Sequence, residues 1–229
     1  MLDHSQNSSS SGRTDGASYW PPAGGAARPQ GPDEVAAAGA LLEVSRLFTA
    51  LLRMTRPDVG LRTERITALV AFLVRRLEVE RHWEFEVAAR LSQLGCLGIA
   101  PDVLEAAARG DRLSDEDLRA VASHPLAARD LLSDVTRLET VAEMIARQHE
   151  PVRIARDRIE PMVEGRLALG GQILRICGEF DALVQRGTAA SDAVARLASQ
   201  PEEFDSAIVS RLASWSPAAP AASPPAASS

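Results

Sequence analysis

Three side chains in this 229-residue sequence have the chemistry to hold a metal together: His124, His149 and Cys96. Two imidazoles and a thiolate would suit a zinc ion. Their spacing shows none of the short-range patterns that mark such sites. The simpler reading is that each histidine caps or packs at a helix end and that Cys96 is a buried, inert thiol. Glu150, Asp157 and Glu160 could support general acid–base work. They fall in or beside an irregular, arginine-rich stretch, where solvated charges are the common case. Cys177 lies on an apolar helix face and reads as core. Trp215 ends the last helix, where it would cover the core. Trp20, in "SYWPP", is an isolated aromatic that could serve as a short docking motif.

These residues need helices to hold them, and the sequence supplies little else. Gly31-Pro32-Asp33-Glu34 starts a helix, with Pro at the first position and acids at the positive end of its dipole. It runs to Arg56, and Pro57 stops it. Its apolar stripe is Leu41, Val44, Leu47, Phe48, Leu51 and Leu52. Further helices are expected over 61–79 (Ile66, Leu69, Val70, Leu73, Val74 and Leu77 inward) and over 83–94 (Phe85, Val87, Ala88 and Leu91 inward). "APDVLEAAARG" is a short helix closed by Gly110. Ser114 and Asp117 form a capping-box pattern. Pro125 is expected to break that helix and start another through Leu132. "VTRLETVAEMIARQHE" is amphipathic, with Leu138, Val141, Met144 and Ile145 inward. Residues 151–166 read as irregular, and 167–186 as a buried helix. "SDAVARLAS" and "FDSAIVSRLASW" complete the set. The fold class is all-α.

Composition agrees with one helical domain. Hydrophobic residues make up 45% of the chain, charged residues 24% and aromatics only 4%. Residues 1–31 and 216–229 are rich in Ser, Gly, Pro and Ala and read as disordered tails around a folded part at 32–215. The net charge of −6 and scattered arginines argue against nucleic acid as a partner. The longest apolar run, "ALVAFLV", is too short to span a bilayer, and the N-terminus has no signal-peptide core. A cytoplasmic location without membrane contact is the expectation. Two cysteines far apart in apolar surroundings read as reduced thiols.

The order of segments resembles the HD-GYP family of metal-dependent phosphohydrolases. The likeness lies in "GDRLSDEDLRAVASHPLAARDLLSDVTRLETVAEMIARQHE", in "LALGGQILRICGEFDALVQRG" and in "AVARLASQPEEFDSAIVSRL". It implies a bundle of about seven helices. Active members hold two or three iron or other transition-metal ions and hydrolyse the bacterial messenger cyclic di-GMP. Such chemistry needs adjacent metals to activate a water and polarise the phosphodiester.

The resemblance also implies where ligands should stand, and most are replaced. An early helical His falls near Arg62. The His-Asp pair falls on Ser92 and Gln93, and the following Lys on Cys96. His124 retains the His of a His-Pro. A His-His pair becomes Gln148-His149, and a late Asp becomes Gly178. The Gly-Tyr-Pro loop has no counterpart in "PVRIARDRIEPMVEGRLALG". Alignment slips by one residue near Ala100, but no shift restores a His-Asp pair. His124 and His149 are thus the residual family ligands, and no metal, other cofactor or catalytic residue is expected. The implied function is that of a pseudoenzyme in bacterial signalling that acts by binding a protein partner, or a second copy of itself, through the helix at 33–56. Two alternatives stand beside it. One is a divergent phosphohydrolase with a reduced metal site at His124 and His149. The other is a sensor that binds a cyclic dinucleotide without cleaving it.

Overall fold

The computed structural model describes residues 31–152 and 163–215. The expected tails (Gly31 apart), Trp20, Asp157 and Glu160 lie outside the described residues. Among the described residues the chain is helical and contains no strand, so the all-α expectation holds.

Proline punctuates the first half. The first helix, α1, spans Pro32–Thr55, and α2 spans Pro57–Arg76. Pro57 therefore does two jobs: it ends α1 and occupies the first position of α2, where its missing N–H costs nothing. That is why α2 begins earlier than the apolar pattern from Leu61 suggests. α3 (His82–Leu91) gives way after Leu91, and Leu94–Gly98 tightens into a 3-10 turn. The helix expected to reach Leu94 is thus shorter. α4 (Pro101–Arg109) is closed by Gly110, whose φ of 81° suits glycine.

α5 corrects the sequence reading most clearly. It runs unbroken from Asp115 to Leu132 with Pro125 inside it. Pro125 cannot donate to the carbonyl of Val121, one turn back. The imidazole Nδ1–H of His124 reaches that carbonyl instead, at 2.7 Å. The acceptor orphaned by proline is satisfied by its neighbour, and the helix continues. At the start of α5, Ser114 Oγ accepts the Asp117 N–H at 3.1 Å, as the capping pattern requires.

α6 (Glu139–Ala146) is half the length its amphipathic pattern suggested. Leu138, Val141, Met144 and Ile145 are nevertheless buried as expected. α7 (Val163–Gln185) begins inside the stretch expected to be irregular. α8 (Ala190–Ala198) and α9 (Ser206–Leu212) close the fold, and Asp205 caps α9 by accepting from Ala207 and Ile208 N–H.

The core sits where α2, α3, α6 and α7 meet. Ile66, Leu73, Phe85, Met144, Ile145, Ile173 and Ile176 are its largest fully buried side chains. Each contributes about 1.5–3 kcal/mol by leaving water. Cys177 is buried among them, and the thiol is free. Trp215 packs edge-on against Phe72, centroids 5.1 Å apart, and covers the core as expected. Gly170 and Gly171 let α7 approach α6 so closely that a Cβ on either would collide with Met144 or Arg147.

α1 also departs from its expected orientation. Of its apolar stripe only Leu52 is buried. Ala38, Ser45 and Thr49 complete the face that meets α2 and α3. Ser45 and Thr49 survive burial because each hydroxyl donates to a carbonyl of the preceding turn.

Candidate functional site

A cavity of about 460 Å³ opens between α2, the 3-10 turn, α4, α5 and α7. Arg62, Gln93, Cys96, His124 and His149 line it. Ser92, Gln148 and Gly178 adjoin this group through hydrogen bonds or close approach. All eight positions singled out by the family resemblance are therefore neighbours in space, although they come from distant parts of the chain.

The 3-10 turn is pinned onto α5 by Gly95. A Cβ there would lie 1.9 Å from the carbonyl oxygen of His124, so only glycine permits this approach. The approach places the 92–96 segment beside His124. Within that segment the polar groups satisfy one another. Cys96 Sγ donates to Gln93 Oε1 at 3.7 Å, Gln93 Nε2 to Ser92 Oγ at 3.2 Å, and Ser92 Oγ to the Ala89 carbonyl at 3.0 Å. Gln148 Nε2 points back to the Ser92 carbonyl at 3.4 Å. Burial pushes the Cys96 thiol up to about 11 despite the nearby Arg62 and Arg56. It stays protonated and is a poor metal ligand at neutral pH.

Both histidines are held by backbone carbonyls. A carbonyl only accepts, so His124 carries its proton on Nδ1 toward Val121. His149 Nδ1 faces the Ala122 carbonyl at 3.1 Å, which sets the same tautomer. The two rings meet edge-on with centroids 5.0 Å apart. His149 is steadied from α7, where Arg175 donates to its carbonyl and pairs with Glu203 at 2.7 Å. Nε2 of His124 is buried and has no hydrogen-bond partner among the described residues. Burial, with His149 and Arg62 adding to it, depresses the His124 pKa to about 4, against the hydrogen bond to Val121. Burial and the charges of Arg175 and Arg62 lower His149 as well. Both imidazoles are neutral at pH 7.

Arg62 stands at the centre of these effects. Its charge bears on Cys96, His124 and His149 at once. Among the described residues it forms no hydrogen bond or ion pair. Arg65 spends its charge on the buried Asp181, at 2.5 and 3.1 Å, and Arg175 on Glu203. Gly178 lies beside Arg62: a Cβ at 178 would meet its Nη2 at 3.9 Å, an ordinary contact.

This donor set does not fit a multinuclear metal centre. Among the described residues no three His, Cys, Asp or Glu side chains converge on one point. Two neutral imidazoles remain, the polar groups at 92, 93 and 96 are committed to one another, and a guanidinium adds a positive charge. Cations bound by several protein ligands need anionic oxygen or thiolate to offset their charge. The arrangement suits the reverse task, recognition of an anionic or hydrogen-donating group by Arg62 and two imidazole acceptors. The carboxylates considered for acid–base work do not change this: Asp157 and Glu160 fall outside the described residues, and Glu150 does not line the cavity. What sequence reasoning missed is the role of Pro125, whose only signal is its place one residue after His124.

A protein-family model described as an HD domain matches residues 46–208. That span covers more than half of the sequence, and the chain belongs to the HD-domain family. No protein of curated function matches it.

Proposed function

We propose that this HD domain is a catalytically inactive relative of the HD-GYP phosphodiesterases and acts in bacterial signalling by binding. The observation that carries the reading is Arg62. A guanidinium with no hydrogen-bond or ion-pair partner among the described residues stands with His124, His149 and Cys96 on one cavity, where a hydrolytic centre needs cations and the anions that hold them. Without a metal-bound hydroxide the main source of rate acceleration for phosphodiester cleavage is absent.

The purified chain should hold no stoichiometric iron, manganese or zinc by elemental analysis. It should release no linear dinucleotide from cyclic di-GMP in buffer supplemented with these metals. Ser92→His with Gln93→Asp should not recover activity, because Arg62, Gln148 and Gly178 still leave the cage open. Turnover that is abolished by His149→Ala but not by a surface control overturns the proposal. That result would favour the second reading, a reduced metal site, whose supporting feature is the pair of Nε2 atoms left free by Nδ1 anchoring. Calorimetric titration with uncleaved cyclic di-GMP separates the sensor alternative from both.

A further inference from the structure

The outer face of α1 is built to be covered. Ala37, Ala40, Val44, Leu47, Leu51 and Met54 follow one another at intervals of three and four residues, the a/d spacing of a coiled-coil seam. At 100° per residue, Ala36 to Met54 place these side chains and Phe48 on an arc of about 120° that holds no charged residue. The arc is centred roughly 130° away from the side carrying Ala38, Ser45, Thr49 and Leu52, which faces the bundle. Small and hydroxylated residues make up much of the core side, with Leu52 buried and Leu41 and Leu42 half-buried beside them, while the other large apolar residues of α1 meet solvent. Val44 is 51% exposed, Leu47 61%, Phe48 43%, Leu51 46% and Met54 80%.

We infer that this face is the interface of a homodimer, in which α1 of one chain packs along α1 of a second copy. The area supports this occupant. With full side-chain areas on the order of 150–200 Å², these five residues leave about 500 Å² of apolar surface. Two copies bury about 1,000 Å², the lower bound for a specific interface. The seam is self-complementary, because the same face serves both partners, as two-fold symmetry demands. A charged or polar partner is disfavoured, because the arc offers nothing to pair with it. The ion pairs that α1 makes among the described residues lie off the arc, Glu34 with Arg81, Glu43 with Arg46 and Arg53 with Glu64.

One other occupant passes by composition. α1 is long enough to cross a bilayer, and its most apolar window has a mean hydropathy of 1.6. The test therefore carries a membrane arm. Light scattering of the full chain should give about twice 24.4 kDa. Leu47→Glu should return it to a monomer with an unchanged helical spectrum. Val44 and Leu47 flank the middle of the seam, so oxidation should cross-link Val44→Cys in a parallel pair and the Val44→Cys, Leu47→Cys double variant in an antiparallel one. Cys96 and Cys177 are buried and will not interfere. A wild-type monomer at about 100 μM overturns the inference, since a dimer weaker than that is no stable interface. So does a dimer indifferent to Leu47→Glu and silent in cross-linking. A monomer that sediments with phosphatidylcholine–phosphatidylglycerol vesicles, and loses that binding on Leu47→Glu, gives the face to a membrane instead.

Discussion

Lowering the pH should destabilise this protein through His124, and the size of the effect follows from its surroundings. The folded imidazole has a pKa of about 4 against an ordinary 6.5. Between those values the unfolded chain binds a proton that the folded chain refuses. Stability therefore rises with pH, is complete above about 6.5, and is lost as pH falls toward 4. A shift of this size corresponds to roughly 3 kcal/mol over the whole window, of which about 2 kcal/mol is lost between pH 7 and pH 5. For a domain of this size that lowers Tm by about 4–8 °C. His149 is shifted the same way and adds to the fall. The assay is calorimetry at pH 7, 6 and 5 on the wild type and on His124→Asn. The asparagine amide can still donate toward the Val121 carbonyl but has no titration, so its profile should be flatter by about 2 kcal/mol. Heteronuclear NMR of the imidazole should show the Nδ1–H tautomer at neutral pH. A His124 that titrates above pH 6, or two parallel profiles, would refute burial as the source of the pH dependence.

Three further outcomes follow from the same contacts. Gly95→Ala should destabilise the chain by about 3 kcal/mol in urea titration, because its Cβ meets the backbone of His124 rather than a yielding side chain; a loss below about 0.5 kcal/mol would show the approach to be loose. Arg65→Met should cost about 3–5 kcal/mol by leaving Asp181 buried without its partner, and adding Asp181→Leu should restore most of it. Gly178→Asp should be tolerated, since its Cβ has ordinary contact distance to Arg62. A double-mutant cycle with Arg62→Met should give a coupling of about 1 kcal/mol. Metal uptake by Gly178→Asp alone would contradict the role assigned to Arg62.

How far the sequence carries depends on the range of the interaction that decides each feature. The helices and most buried faces were legible, because apolar spacing in α2, α3 and α6 records burial directly. Gly110 and the Ser114–Asp117 cap were legible because their physics is local. The failures have tertiary causes. Pro125 reads as a break until the His124 imidazole is seen to replace the missing donor. The stripe on α1 reads as core-facing by size and polarity alone. What reverses it is that Ser45 and Thr49 satisfy their hydroxyls within the helix and so leave the small side free to pack. Shortening of α6 and of the end of α3 likewise has no local signal strong enough to place it.

The site shows the same division. The sequence shows which residue types stand at 62, 92, 93, 96, 148 and 178, but only the fold shows that they are neighbours. An arginine facing a cluster of metal ions would be repelled. Arg62 avoids that cost where no cations are held, and Gly178 beside it takes nothing from its charge. The same coherence holds at 92–96, where serine, glutamine and cysteine close a hydrogen-bond chain that needs nothing from outside. His124 is the exception. Its Nδ1 is committed to the helix that Pro125 would otherwise interrupt, so the imidazole has a structural task independent of any ligand. Its Nε2 is left buried and, among the described residues, without a partner, on a residue that lines the cavity. A buried acceptor without a partner costs about 1–3 kcal/mol. A ligand that donates a hydrogen bond to Nε2 while its anionic group meets Arg62 would recover that cost on binding, with no catalysis required.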